Sequence, residues 1–462
     1  MFQTPSSLPS TFTTTMAISD HSVLTFKQVQ VALNQTLNHH GFPVESDGPL
    51  VEALGQLGCF PYVRIPFDSF DLNCELRIAD KPAGTFEKPD VDLILQECTP
   101  SSFGKGDKTV LDPAYRSGKE ISAQKMEVIS ESSYRYFCYI SEDEIAAAMF
   151  AGKTVKLKFY KLAVYEEGGH FDWHMDTTHS DQHHATLLLA LNTSWEGGDL
   201  KLRRKGMETI VDMHPKANKE GGDIKLQVIA FYTDTEHKVE PVTKGIRIVL
   251  QYDVEVVGSA DKEDDECDRI DEVFLNIQDI SRKRKRYQKS SDSLSVDDAI
   301  VTKVTSIIEN LLADEEEVGF ALQHLYRKSS ILPEFLKGAD AQLYHALVRS
   351  FDVTLRPVIL QSFCDDEGFI NSFVAIPWDD NIGEYDSDSA SDDESSSNKY
   401  GIASKSLETE KELQMTFHLP TISAIRQISY QEYVEYTGNS AQAEEKKYFG
   451  GGMFVRKKVA KE

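Results

Sequence analysis

The sequence predicts an all-β core, a sandwich or jelly roll, with flanking helices and an α+β architecture overall. Three observations carry this prediction. Five short apolar runs crowd into one block, Val155–Val164, Thr186–Leu191, Asp199–Leu202, Ile224–Tyr232 and Ile246–Val254. They are rich in β-branched residues, and Gly, Asn and Asp turns separate them, as in antiparallel sheets. Apolar residues at helical spacing fall before and after the block.

Taken in order, residues 1–20 are rich in Ser and Thr and read as a disordered N-terminus. Residues 21–152 form a support region. There, Val29–Leu33 and Val51–Leu54 have the spacing of short helices, Tyr62–Ile65 reads as a strand, and Val91–Leu95 is a further apolar segment. Thr99–Lys119 is rich in Gly and Pro and reads as a loop. Ser141 and Glu144 have capping-box spacing before a helix Ile145–Phe150, with Gly152 after it. The core spans 153–258. In its last strand Ile246, Ile248 and Leu250 oppose Arg247, Val249 and Gln251, so one face carries an Arg that holds an anion or meets water.

A charged linker follows at 259–295. Its basic run Arg282–Arg286 reads as a nuclear localisation signal or, more plainly, as a solvated face. Residues 296–370 read as a helical module: Ile300, Val304, Ile307, Ile308 and Leu311 share one face behind Ser295 as N-cap. Residues 379–410 are an acidic, Ser-rich linker expected to be disordered. The segment 411–462 regains β character at Tyr430–Tyr436 and is expected to pack back on the core.

The composition narrows the function. The chain has 462 residues, enough for two or three domains. No apolar run approaches the length that spans a bilayer, and the first residues lack a basic and an apolar signal region, so no membrane association or secretion is expected. Six Cys without a C-x-x-C pair read as reduced thiols of a cytoplasmic or nuclear protein. A net charge of −26 disfavours nucleic acid and suits a basic protein partner.

The chemistry-bearing stretch is Tyr165–Asp176, which follows the first core strand. Residues i and i+2 of an extended segment point to one side, so a His-x-Asp pair can reach one metal ion. Three such pairs occur: His170/Asp172, His174/Asp176 and His179/Asp181. Parity leaves the first two open, because 170, 172, 174 and 176 share a face. The best third ligand is His237, in F-Y-T-D-T-E-H-K-V-E-P-V-T-K-G-I-R. Two His and one carboxylate with open positions is the ligand set of non-haem Fe(II) oxygenases.

Tyr165-x-x-Gly168-x-x-Phe171-x-x-His174-x-Asp176, then Gly197-Gly198, then His237-x-x-x-Pro241-Val242-x-x-Gly245-x-Arg247, resembles the 2-oxoglutarate-dependent oxygenases of the prolyl 4-hydroxylase type. The resemblance covers Lys153 to Val256. It implies a double-stranded β-helix, His174, Asp176 and His237 as iron ligands, and Arg247 as the grip on the distal carboxylate of 2-oxoglutarate. A hydroxyl residue often stands two positions after that Arg; here it is Val249, and Tyr165 is taken as the second carboxylate donor. The implied cofactors are Fe(II), with 2-oxoglutarate and O₂ as co-substrates and ascorbate as reductant. The implied reaction is hydroxylation of an unactivated C–H bond on a protein side chain, prolyl first, with release of succinate and CO₂. Position 173 is Trp where the motif commonly has Pro.

The same resemblance makes Thr99–Lys119 a candidate lid, His170 a residue of the site mouth, and His179, His183 and His184 loop residues open to adventitious metal. Three rival readings stand beside it. One is a small-molecule hydroxylase. Another is an interaction protein that keeps a metal for stability. The weakest is a zinc hydrolase, which does not account for Arg247.

Overall fold

The computed structural model describes residues 42–57, 62–65, 74–257 apart from 106–107, 130–132, 205–206 and 218–223, then 298–364, 370–377, 415–420, 426–428 and 447–458. The N-terminus expected to be disordered, the expected Val29–Leu33 helix, the charged linker with its basic run, the acidic linker and Tyr430–Tyr436 lie outside these residues.

Eight strands form the heart of the chain. We number them β1 (Val155–Tyr165), β2 (His170–His174), β3 (His183–Ala190), β4 (Leu200–Arg204), β5 (Met207–Val211), β6 (Val228–Tyr232), β7 (Glu236–Val239) and β8 (Arg247–Val256). They divide between two antiparallel sheets. The larger runs Val63–Ile65, β6, β3, β8, β1, Lys119–Ser122 and Thr99–Pro100. The smaller runs β5, β4, β7, β2 and Arg116–Ser117. Four of the five expected strands are present with shifted ends; Ile224–Tyr232 is split into Ile224–Lys225, which pairs with Lys216–Ala217, and β6. The β2, β5 and β7 segments are too polar to stand out by apolar runs alone.

Across Lys161–Tyr165, β3, β6 and Arg247–Leu250 the larger sheet is buried on both faces, and these strands alternate between two cores. Leu162 and Val164 of β1, Leu187 and Leu189 of β3 and Leu250 and Tyr252 of β8 face one core. That core is completed by the helix Ser133–Met149, through Phe137, Ile145 and Met149, and by Leu76, Ile78 and Phe86. Ala163, Tyr165, Leu188, Phe231 and Val249 face the other core, against Leu200, Leu202 and Val239 of the smaller sheet.

The helix starts at Ser133, not after Ser141. Ser141 is fully buried, on the same stripe as Phe137, Ile145 and Met149. The capping-box spacing is therefore coincidental, and Glu142 accepts the Leu157 N–H at 2.9 Å instead.

The expected helical module at 296–370 is corrected to a mixed one. It does hold helices, Asp298–Leu311 and Gly338–Leu347. However, Glu317–Ala321, Phe351–Cys364 and Ile370–Pro377 are strands of a third sheet, ordered Glu317–Ala321, Phe417–His418, Phe42–Glu45, Ile370–Pro377, Phe351–Cys364, Lys447–Lys457 and Arg426–Ile428. Lys447–Lys457 also pairs with Glu317–Ala321, which closes the sheet into a ring. The strand Phe42–Glu45 and the helix Pro49–Gly55 thus belong to this module and not to the support region before the core. Leu50 and Leu54 pack with Val304, Ile308, Phe320, Leu343 and Met453. The tail packs into this ring rather than back on the two core sheets, because Phe454 and Val455 find their apolar partners there.

Gly245 turns the chain into β8 at φ +79°, and a Cβ there would lie 2.2 Å from the Ser194 carbonyl oxygen. Gly152 has φ +80° with nothing within 4 Å. Gly152→Ala should therefore cost only the left-handed backbone term, about 1–2 kcal/mol. Gly245→Ala should cost clearly more, because backbone must also move. Urea denaturation of the two variants checks this, and equal losses would contradict it.

Candidate metal and anion site

Between the two sheets lies a cavity of about 310 Å³. His174, Asp176, His237, Arg247 and Tyr165 all line it. Three different elements deliver the metal-ligating types. His174 ends β2, Asp176 follows it, and His237 lies on β7, where it is paired with His174. The two imidazole centroids are 4.0 Å apart, and His237 Nε2 is 3.7 Å from Asp176 Oδ1.

The backbone sets both tautomers. His174 Nδ1 donates to the Asp172 carbonyl at 2.7 Å, and His237 Nδ1 donates to the Thr235 carbonyl at 3.0 Å. Each Nε2 is left with its lone pair toward the cavity, the state a metal needs. Burial holds the His174 imidazole well below its ordinary range, with His237 beside it adding to the effect. Burial alone would raise the Asp176 carboxyl. The nearby His237 and the Thr186 hydroxyl, which donates to Asp176 Oδ2 at 2.5 Å, outweigh it, and the net direction is down. The donor set is thus two imidazole Nε2 atoms and one carboxylate, with ligand atoms within 4.8 Å of one another. It fits a divalent ion such as Fe(II).

Arg247 supplies the second half of the site. It pairs with Tyr165 across β1 and β8, and its guanidinium carbon lies 5.3 Å from the Tyr165 ring centroid. It is 1% exposed, yet its Nε and Nη2 have no hydrogen-bond partner. Burial lowers its pKa, and no carboxylate offsets this. A buried cation with open donors inside a cavity is a receptor for an anion, since leaving it unmet is costly. A guanidinium grips a carboxylate through two parallel bonds.

The segment Thr99–Lys119 does border the cavity, through Ser102, Phe103 and Arg116. Phe103, Tyr115 and Phe171 form an aromatic wall, with ring centroids 4.6–6.4 Å apart. Arg116 and Lys161 share the carboxylate of Glu120, at 3.0 and 3.1 Å. Sequence reasoning did not pick out this trio. Charged residues scattered over three strands carry no local pattern.

Three readings need correction. Parity fails along β2, where a bulge between Phe171 and His174 shifts the register. Phe171 thereby stacks on His174, with centroids 3.3 Å apart, and Asp172 turns to Lys238 at 3.3 Å. His170 does not line the cavity: its ring nitrogens face the Gly168 and Ala114 carbonyls at 2.9 and 3.1 Å. His183 and His184 are buried at the start of β3, not in a loop. His183 and His179 do gather around Asp253. There His183 Nδ1 accepts the His179 N–H at 3.2 Å, which places the ring proton on Nε2, toward Asp253 and against a metal.

Residues 160–252 match the 2OG-Fe(II) oxygenase superfamily. No curated protein sequence matches the chain. Among solved structures, a prolyl-4-hydroxylase of Pseudomonas putida is 16% identical, covering 41% of this chain and 95% of its own, with a TM-score of 0.25. A prolyl hydroxylase of Trichoplax adhaerens, in complex with a hypoxia inducible factor oxygen degradation domain peptide fragment, is 15% identical over 40% and 84%, at 0.26. A 2OG-Fe(II) oxygenase family oxidoreductase of Burkholderia pseudomallei is 13% identical over 46% and 93%, at 0.27.

If Arg247 awaits an anion, Arg247→Met should stabilise the ligand-free protein, by about 1–3 kcal/mol, since it removes unmet buried donors. Added 2-oxoglutarate should stabilise the parent protein and not the variant. Thermal unfolding with and without the oxo-acid reads both effects. A variant less stable than the parent would count against the assignment.

Proposed function

We propose, from the premise that residues 160–252 make this chain a 2OG-Fe(II) oxygenase, that it hydroxylates a protein side chain, with a prolyl ring as the first substrate to test. The unmet guanidinium of Arg247, in the same cavity as His174, Asp176 and His237, carries this reading. A metal kept for stability alone has no use for a buried anion receptor. A zinc hydrolase leaves it equally unexplained.

The two facing sheets are read as a double-stranded β-helix. β1, β3, β6 and β8 lie in one sheet and β2, β4, β5 and β7 in the other, so the chain crosses between them as it advances. His174 Nε2, His237 Nε2 and the Asp176 carboxylate hold Fe(II). Arg247 takes the distal carboxylate of 2-oxoglutarate, and Tyr165, beside it, offers the second donor.

Bound Fe(II) and 2-oxoglutarate supply the oxidising chemistry: one oxygen atom of O₂ enters the substrate C–H bond and the other enters succinate as CO₂ leaves. The protein's own part is positional. The carbonyls of Asp172 and Thr235 fix the imidazole rings, and Thr186 fixes the carboxylate. Phe103, which lines the cavity and is backed by Tyr115, offers an apolar face to a pyrrolidine ring. The net charge of −26 favours encounter with a basic protein.

The test is succinate release by purified protein with Fe(II), 2-oxoglutarate and ascorbate, with and without Pro-containing basic peptides. Asp176→Ala should reduce turnover to background. Arg247→Ala should raise the oxo-acid concentration needed by about 10²-fold, the loss of a charge-assisted bidentate pair. Failure of 2-oxoglutarate to bind the Fe(II)-loaded protein anaerobically would overturn the reading. Succinate release that no peptide stimulates would leave the oxygenase standing and remove the prolyl assignment.

A further inference from the structure

A second concentration of buried charge lies where the eight-stranded core meets the C-terminal module. At its centre is Asp234, in the turn between β6 and β7. Its side chain is 2% exposed. Asp234 Oδ2 accepts Arg204 Nη1 at 3.0 Å and the Leu325 N–H at 3.0 Å, and Oδ1 lies 3.7 Å from Lys337 Nζ. Arg204 Nη2 and the Asp234 carboxylate both approach His324 Nδ1, at 2.7 Å and at 3.2–3.3 Å. Burial and Arg204 push the His324 pKa down to about 3, which keeps the ring neutral.

The module side is itself held. Asp340 accepts the backbone N–H groups of Gln323 and His324 at 2.7 and 3.0 Å and the Tyr326 hydroxyl at 2.9 Å. Two carboxylates, Asp234 and Asp340, balance two cations, Arg204 and Lys337. Buried charge is tolerated when it is paired and hydrogen-bonded in this way.

The same turn faces the metal site with its other edge. The Thr233 carbonyl accepts the Asp176 N–H at 3.2 Å. The Thr235 carbonyl accepts His237 Nδ1 at 3.0 Å. The two residues flanking Asp234 therefore hold two of the three proposed metal ligands, while Asp234 itself is gripped by the module. We propose that Asp234 is a positioning residue, through which the C-terminal module sets the spacing of Asp176 and His237. The module, on this account, is a structural part of the metal site and not an appended domain.

This rests on the ligand assignment above, and the experiment separates the two. Anaerobic Co(II) titration of the full chain, read by visible absorption, gives a metal affinity without turnover. Loss of binding in Asp176→Ala establishes the ligand reading; retained binding there sinks both proposals. Asp234→Asn should then weaken Co(II) binding about 10–100-fold, as removal of supporting contacts around metal ligands does.

Lys153→Met is the control. It removes an interface contact to the Pro333 and Leu336 carbonyls, at 2.7 and 2.9 Å, that does not reach the turn. It should leave the affinity within about twofold, a change too small for a lost supporting contact. His324→Leu and His324→Gln work from the module side and cover an Asp234→Asn that does not fold. Leu should weaken binding, and Gln, which can still accept from Arg204, should restore most of it. In the metal-free protein, amide exchange at Asp176 should quicken in Asp234→Asn and not in Lys153→Met. Unchanged Co(II) affinity and unchanged exchange at Asp176 would overturn the proposal, as would equal losses in the control.

Discussion

The constraint on which the rest depends is that the larger sheet has no solvent face across Lys161–Tyr165, β3, β6 and Arg247–Leu250. β1, β3, β6 and β8 each serve two cores at once, so every second side chain is committed to the space between the sheets. A polar residue at such a position has no water to turn to. Arg247, Thr186 and Lys161 are buried because their neighbours in sequence, Ile248, Leu187 and Leu162, are buried on the opposite side. The site is therefore lined by groups whose hydrogen bonds must be met by each other or by a ligand. Thr186 meets Asp176, Lys161 meets Glu120, and Arg247 meets nothing on two of its nitrogens. That unequal satisfaction distinguishes a receptor from a packed core.

How much was legible beforehand follows from which physical signals are local. The long apolar strands were, because Leu187, Leu189, Ile248 and Leu250 alternate within their own segments. The candidate ligand residues were legible through the spacing of a short motif, and the structure brings all of them with Arg247 and Tyr165 into one cavity. What was not legible depends on partners far away in sequence. The bulge in β2 comes from pairing with β7, and it undid a parity argument that assumed an unbroken strand. Ser141 looks like a cap until Phe137 and Ile145 are seen to bury the same helical stripe. The polar strand Glu236–Val239 has no alternation to read; it is a strand because β2 and β4 flank it.

The two charged clusters follow one rule at different distances from the chemistry. In the cavity, Arg116, Lys161 and Glu120 leave one positive charge over. At the module interface, the carboxylates of Asp234 and Asp340 match Arg204 and Lys337 in number. A balanced cluster suits a joint that stays closed, since a buried pair is costly to break. An unbalanced one suits a wall that meets charged ligands. The turn Thr233–Thr235 lies between these two regimes, with its carbonyls on the metal side and its carboxylate on the interface side.

The ring of the C-terminal module has a consequence for the order in which the chain can assemble. Phe42–Glu45 and Lys447–Lys457 are strands of one closed sheet, yet the whole eight-stranded core lies between them in sequence. The core is thus an insertion within the module, and everything from Phe42 to Lys457 must emerge from the ribosome before the ring can close. Contacts of such large sequence separation form late and slowly. Newly made chains should therefore pass through a stage in which the two core sheets are folded while Phe42–Glu45 still waits for its partners. During that interval an open sheet edge is exposed to pairing with other chains, so a chaperone that covers strand edges would matter more to this protein than its stable, closed final form suggests.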